Sequence, residues 1–395
     1  MKIGILVDSL KVGGVEKIAI NQVKYLREIG EDAYLLVLRK ENNPAEKENV
    51  FELTDGEIPI EVLDDRFPKF LKFSFKFPTF AFFSFHHISY ALLLPFFIKR
   101  KEYDYIVSHG SYTSFSAFTI RLVKGIYYSI FFWDPVYYIL NRVYGAEISS
   151  LLLKFLSFLG TIVDRYLVRS ADYVLVGSEE HNKYFRKIYP DIKIKLILPG
   201  IKLGTPTSNK KDYILALTAW KAGKHPEYMI ELAKQLVGVN FKIAGKWLDA
   251  KLREDFENLV ATASMIERFD ILGYVPEHAL QPLYTEATVL LTTNLEKGFG
   301  IPVLEAAACG TTFISPEGSG VCCLFENGVD GFFTKERDTK EIVEKLQLLI
   351  TNRDLAVKMG LSAFNKVKNG YTWQAHARKL VEAVSVFVSY EKSTT

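Results

Sequence analysis

The 395-residue chain is poor in cysteine, nearly balanced in charge and without a long apolar run. Its three cysteines, Cys309, Cys322 and Cys323, have no metal-ligand spacing, and the adjacent pair is badly placed for an ordinary disulfide. A disulfide scaffold and a zinc ribbon are thereby excluded, and a reducing compartment is expected. Forty-nine basic residues against 46 acidic ones leave a net charge of +3, which gives no case for nucleic acid as a partner. No D-x-D triplet occurs. The longest apolar run, around residues 91–98, is far short of the ~20 residues a membrane-spanning helix needs. Residues 2–7 enter a strand-like run with no basic-then-apolar leader, so the expected location is the cytoplasm, with room for a peripheral site on the cytoplasmic membrane face. What the chain has in excess is aromatics, 29 Phe and 21 Tyr, weighted to its first half.

Length and a 49% hydrophobic content predict more than one domain, each with a sizeable core. Apolar strand-like runs recur at residues 2–7, 33–38, 103–109, 126–132, 171–178 and 195–200, and again at 213–217, 241–245, 270–275 and 289–293. Helical patterns lie between them, as at 15–30, which predicts an α/β chain of two Rossmann-like, doubly wound halves. The polar stretch 202–211, with Gly204 and Pro206, reads as the boundary. The expected domains are 1–201 and 212–372, followed by an amphipathic helix over 373–395. In the first unit the loop D-S-L-K-V-G-G-V-E-K sets Gly13 and Gly14 at a helix N-terminus, where a ligand can approach bare backbone or where the chain simply turns tightly. The strands ending at His109 and at Trp133-Asp134 bring side chains to the carboxyl edge of the sheet, where open α/β sheets bind ligands.

The most informative stretch is A-T-V-L-L-T-T-N-L-E-K-G-F-G-I-P-V-L-E-A-A-A-C-G, from Ala287 to Gly310. It reads as a buried strand, a glycine loop and a helix over 301–309 that carries Pro302 in its first turn. Free N–H groups and the positive end of the helix dipole make such a loop an anion site, with phosphate the natural occupant. Glu305 stands one turn into the helix, where a carboxylate can accept from two neighbouring hydroxyls such as those of a ribose.

K-G-F-G-I-P-V-L-E-A-A-A-C-G, Lys297 to Gly310, resembles the donor-site signature of the family 4 retaining glycosyltransferases of GT-B fold. The resemblance covers the second domain well and the first thinly. It implies two Rossmann-like domains with an interdomain cleft, and transfer of a sugar from a nucleotide-diphosphate donor with retention. The acceptor it leaves open is a glycan or a lipid-linked molecule, and no metal is expected. On this resemblance Lys224, Glu305, Asp134 and His109 are the candidate catalytic residues. Gly13, Gly14, Lys221, Tyr274, Val275, Glu296, Lys297, Gly298, Phe299, Gly300 and Ile301 are the candidate donor-binding residues. Two positions depart from the pattern. Ala219 stands where an arginine on the diphosphate is expected, and Lys297 where the first motif glutamate is expected, with Glu296 one residue early. Lys297 could restore the missing cation; alternatively, the departures mark a GT-B protein that has lost catalysis and serves as a binding or partner subunit.

Residues 67–83 are rich in phenylalanine, carry Lys69, Lys72 and Lys76 and contain no acidic residue. They suit either the headgroup region of a membrane or a packed element whose lysines reach water.

Overall fold

The computed structural model describes residues 1–10, 14–39, 58–68, 85–133, 140, 149–221, 223–293 and 300–394. They form two compact units, Met1–Pro199 with Trp373–Thr395, and Gly200–Thr372.

In the first unit β1 (Lys2–Val7), α1 (Gly14–Glu28), β2 (Asp32–Val37), β3 (Ile60–Val62), α2 (Phe85–Phe97), β4 (Tyr105–His109) and α3 (Ser111–Lys124) follow in order. Then come β5 (Tyr127–Phe132), α4 (Ser150–Ser170), β6 (Tyr173–Val176), α5 (Glu179–Ile188) and β7 (Ile194–Leu196). The seven strands make one sheet in the order β3-β2-β1-β4-β5-β6-β7, all parallel where paired. Central strands such as β1 and β4 are buried almost throughout, as strands covered on both faces are. One core face takes Leu94 of α2 and Ile98 just beyond it, Phe118 of α3, Leu167 and Val168 of α4 and Phe185 of α5.

The second unit runs β8 (Lys211–Leu217), α6 (Tyr228–Gln235), β9 (Asn240–Ala244), α7 (Ala250–Thr262), β10 (Phe269–Gly273), α8 (Glu277–Glu286) and β11 (Ala287–Leu291). It continues with α9 (Ile301–Ala308), β12 (Phe313–Pro316), β13 (Phe332–Thr334), α10 (Thr339–Thr351) and α11 (Arg353–Gly370). Its six-stranded sheet is ordered β10-β9-β8-β11-β12-β13. A last helix, α12 (Trp373–Thr394), belongs to the first unit, where Trp373, Leu380 and Val384 share a core with Ile18 and Leu26 of α1.

Each sheet reverses its strand order once, between β1 and β4 and between β8 and β11. At such a point the loops leaving adjacent strands diverge to opposite faces and open a crevice at the carboxyl ends.

The polar stretch read as a boundary lies on the second unit. Lys210 is buried, and its ammonium donates to the Thr285 carbonyl at 2.7 Å, the Gly310 carbonyl at 3.0 Å and Thr311 Oγ1 at 2.7 Å. Of the phenylalanine-rich segment 67–83, only Phe67 and Pro68 are among the described residues. Phe67 is buried, with its ring 5.2 Å from that of Tyr90 and 4.9 Å from that of Phe97, so it is a core residue and cannot serve as a membrane anchor.

Candidate functional site

In the second unit a pocket opens at the carboxyl ends of β8 and β11, at the point of strand reversal. Ala216, Leu217 and Thr218 come from the end of β8, Leu291, Thr292 and Thr293 from the end of β11, and Ser315 from β12. Trp220 and Met229 supply an apolar side. Trp220 is fixed by its indole N–H, which donates to the Ala244 carbonyl at 2.9 Å, and by stacking on Trp247. The turn beneath needs glycine at 245. There φ is +112°, and a Cβ would lie 1.9 Å from the Thr218 carbonyl oxygen.

Two features give the pocket its charge preference. Gly300, in the left-handed region at φ +83°, caps α9, and the helix starts immediately with Ile301-Pro302. Pro302 carries no N–H and the Val303 N–H donates to the Gly300 carbonyl at 3.0 Å, so what α9 presents to the pocket that Gly300, Pro302 and Val303 line is the positive end of its helix dipole. Lys224 lines the same pocket and is half-buried. Desolvation lowers its ammonium pKa, with the charge of Lys221 adding to the effect. A partly desolvated lysine beside a helix N-terminus is a site for an anion.

Glu305 lies one turn along α9 from Gly300. Its Oε2 accepts from the hydroxyl of Tyr284 at 2.6 Å, and Tyr284 is itself buried. No signal in the sequence points to Tyr284, which sits on α8, 21 residues away, in a helix with no motif of its own.

Lys224 and Gly300 are thus brought to one pocket, with Lys221 adjoining and Glu305 behind the helix start. Ile301 is exposed at the first position of α9. Tyr274 is exposed just after β10 and Val275 follows it, at the far edge of the sheet; neither lines the pocket. Ala219 is exposed and adds no cation. Gly13, Asp134, Glu296, Lys297, Gly298 and Phe299 lie outside the described residues, and with them the idea that Lys297 replaces the absent arginine. Among the described residues no group of three His, Cys, Asp or Glu side chains is placed to hold a metal ion.

In the first unit Gly14 opens α1 with free space about it, and His109 ends β4, so both stand at that sheet's reversal point. His109 is 5% exposed and belongs to a buried hydrogen-bonded chain. The Trp133 indole donates to His109 Nδ1 at 3.3 Å, and His109 Nε2 meets Gln22 Oε1 at 2.8 Å. Gln22 Nε2 meets His376 Nε2 at 3.0 Å, and His376 Nδ1 meets the Leu198 carbonyl at 2.7 Å. An indole can only donate and a carbonyl only accept, so every proton in between is assigned: both histidines are neutral, with Nε2–H on His109 and Nδ1–H on His376. Burial agrees, lowering His109 to about 3 and His376 to about 4. A histidine whose two nitrogens are both engaged in the interior orients its neighbours; the geometry gives His109 that part in place of acid–base chemistry.

Residues 203–366 match the family model described as "Glycosyl transferases group 1". A D-inositol 3-phosphate glycosyltransferase of Frankia alni is 27% identical over 218 residues, 49% of this chain and 53% of that protein. The chain spans about half the length, or less, of the curated relatives it matches. Among solved structures, Anabaena HepE in complex with UDP superposes with a TM-score of 0.73 at 17% identity, over 98% of this chain and 100% of that one. Sucrose-phosphate synthase from Thermosynechococcus elongatus gives 0.72 at 15% identity, over 98% and 99%. At these identities the likeness speaks to the fold, which is GT-B.

Proposed function

We propose that this chain, whose residues 203–366 match the group 1 glycosyl transferase model and whose fold is GT-B, moves a sugar from a nucleotide-diphosphate donor to a glycan or lipid-linked acceptor, with retention at the anomeric carbon. The observation that carries this reading is the pocket at the β8–β11 reversal, where Lys224 and the N-terminus of α9 converge. Anabaena HepE, which shares this fold, is solved both with UDP and with UDP-glucose.

In this reading the diphosphate lies against the first turn of α9 and the Lys224 ammonium, and Glu305, held by Tyr284, accepts from the ribose hydroxyls. As the bond to the sugar breaks, negative charge gathers on the leaving diphosphate. Fixed donors aimed at that charge stabilise it more than the ground state, by about 3–4 kcal/mol for one well-placed group. The proton of the acceptor hydroxyl passes to a leaving phosphate oxygen, so no protein base is required. The first unit takes the acceptor, with His109 as a positioning residue.

The test is a thermal-shift panel with UDP, GDP, ADP and their sugars, with and without chelator, followed by turnover assays and determination of the product anomer. A ligand at a hundred times its Kd adds ~2.7 kcal/mol to stability. Glu305→Ala and Lys224→Ala should each remove the shift. Wild-type affinity in both variants for every nucleotide would sink the assigned site. The absence of a cation at Ala219 favours one second reading, a binding subunit without catalysis; nucleotide binding without consumption of any sugar donor would select it.

A further inference from the structure

Five large apolar side chains stand out on α4: Leu151 is 80% exposed, Phe155 57%, Phe158 64%, Ile162 49% and Tyr166 60%. Their spacing of four, three, four and four residues keeps them within an arc of about 80° on a helix of 3.6 residues per turn, along roughly 22 Å. Gly160, Asp164 and Leu167 occupy the opposite, buried face. The helix therefore has two apolar faces, and the sheet covers one of them. Monomers in water seldom show a contiguous apolar strip of this kind without a use for it.

The neighbouring helices extend the strip. Leu92 and Phe96 of α2 and Leu122 and Val123 at the end of α3 are likewise exposed. All three helices bury their inner sides in a single core on the same face of the sheet, so their outer sides share one exterior surface.

Charge decides what fits there. The exposed Lys154, Arg165 and Arg169 of α4 flank or end the strip, with Lys124 closing α3 and Lys99, Arg100 and Lys101 following α2. Across all three helices the only carboxylate is that of Asp164, which is buried and accepts from Ser111 Oγ at 2.8 Å. A second copy of this chain would bring cation against cation with no carboxylate from these helices to pair them. A bilayer with anionic headgroups satisfies both halves of the pattern: the apolar strip enters the headgroup–acyl boundary, and the basic side chains reach out to the phosphates. We propose that the outer face of α4, with those of α2 and α3, docks on an anionic lipid surface. This surface lies within the first unit and does not depend on the donor-site reading.

The experiment is flotation of the full chain with vesicles of phosphatidylglycerol and phosphatidylcholine, against phosphatidylcholine alone. Co-flotation is expected with the anionic vesicles at low salt and is expected to fall at high salt. Replacing three cations by Lys154→Gln, Arg165→Gln and Arg169→Gln should lower partitioning by about a hundredfold, given the usual attraction per basic residue near such a surface. Phe155→Ser with Phe158→Ser should lower it by more than tenfold. Because these positions are exposed, circular dichroism and the melting temperature should not change in either variant. Any nucleotide-induced thermal shift should also survive, so loss of docking is separated from loss of fold and from failure of the donor reading. The proposal is overturned by absence of co-flotation, by flotation equal to wild type in both variants, or by a dimer in sedimentation that the phenylalanine variant abolishes.

Discussion

At the scale of the residue, Glu305 and Tyr284 carry the sharpest prediction. A carboxylate that is to accept two ribose hydroxyls must hold one rotamer, and the Tyr284 hydroxyl at 2.6 Å supplies that restraint. Tyr284→Phe removes one hydrogen bond of about 1–2 kcal/mol to a charged group while keeping the ring in its buried site. Nucleoside diphosphate affinity should fall about 5- to 30-fold by calorimetry, with the melting temperature of the unliganded protein changed far less than for Tyr284→Ala. Lys224 gives a second test. Its pKa is lowered, and only the ammonium attracts phosphate, so affinity should begin to fall with rising pH below the range where an ordinary lysine titrates. Lys224→Arg, which stays charged, should flatten that decline. Gly245→Ala combines a left-handed backbone with a Cβ 1.9 Å from a carbonyl oxygen, and should destabilise the second unit by several kcal/mol in urea denaturation.

At the scale of the element, most strand positions were legible, the short edge strands β3 and β13 excepted, and helix partners were not. Runs such as β1 and β11 are apolar at nearly every position because both faces are covered, a signal that needs only neighbouring residues. The start of α9 was legible too, since Gly300 in the left-handed region and Pro302 in the first turn suit the local backbone of a helix beginning. Lys210 was not. In a polar stretch it reads as solvated, yet it ties the end of α8 to the end of α9 through the Thr285 and Gly310 carbonyls. A cation suits two helix C-termini, and burial lowers its pKa only to about 8, so it is charged at neutral pH. Since α8 holds Tyr284 and α9 holds Glu305, the lysine fixes the frame of the candidate site. Lys210→Met leaves its acceptors without a donor and should cost about 2–4 kcal/mol in denaturant titrations.

At the scale of the whole molecule, the chain from Trp133 through His109, Gln22 and His376 to Leu198 fastens α12 to the first unit, together with Trp373 stacked on Tyr25. It also sets a pH dependence. Both histidines have folded pKa values below the ordinary one, about 3 and about 4, so below pH ~6.5 the unfolded chain binds protons that the fold refuses. Their contribution is fully present above that pH and declines as pH falls toward 4, by a few kcal/mol in all. Urea midpoints measured between pH 7.5 and 4.5 should show this slope, and His109→Gln with His376→Gln should reduce it.

By itself the sequence determined that this is an α/β protein of two parallel sheets, and that a helix with Pro302 in its first turn starts at Gly300, after β11. Those properties follow from residues close together in the chain, through burial period and backbone geometry. Only the tertiary structure decided that His109 is paired inside a core, 87 residues from Gln22 in the chain, and that Tyr284 restrains Glu305. It alone decided, too, which face of α4 meets water. That helix is apolar on both sides, so its composition does not say which side the sheet covers; the packing of α3 and of Tyr128 on β5 against it does.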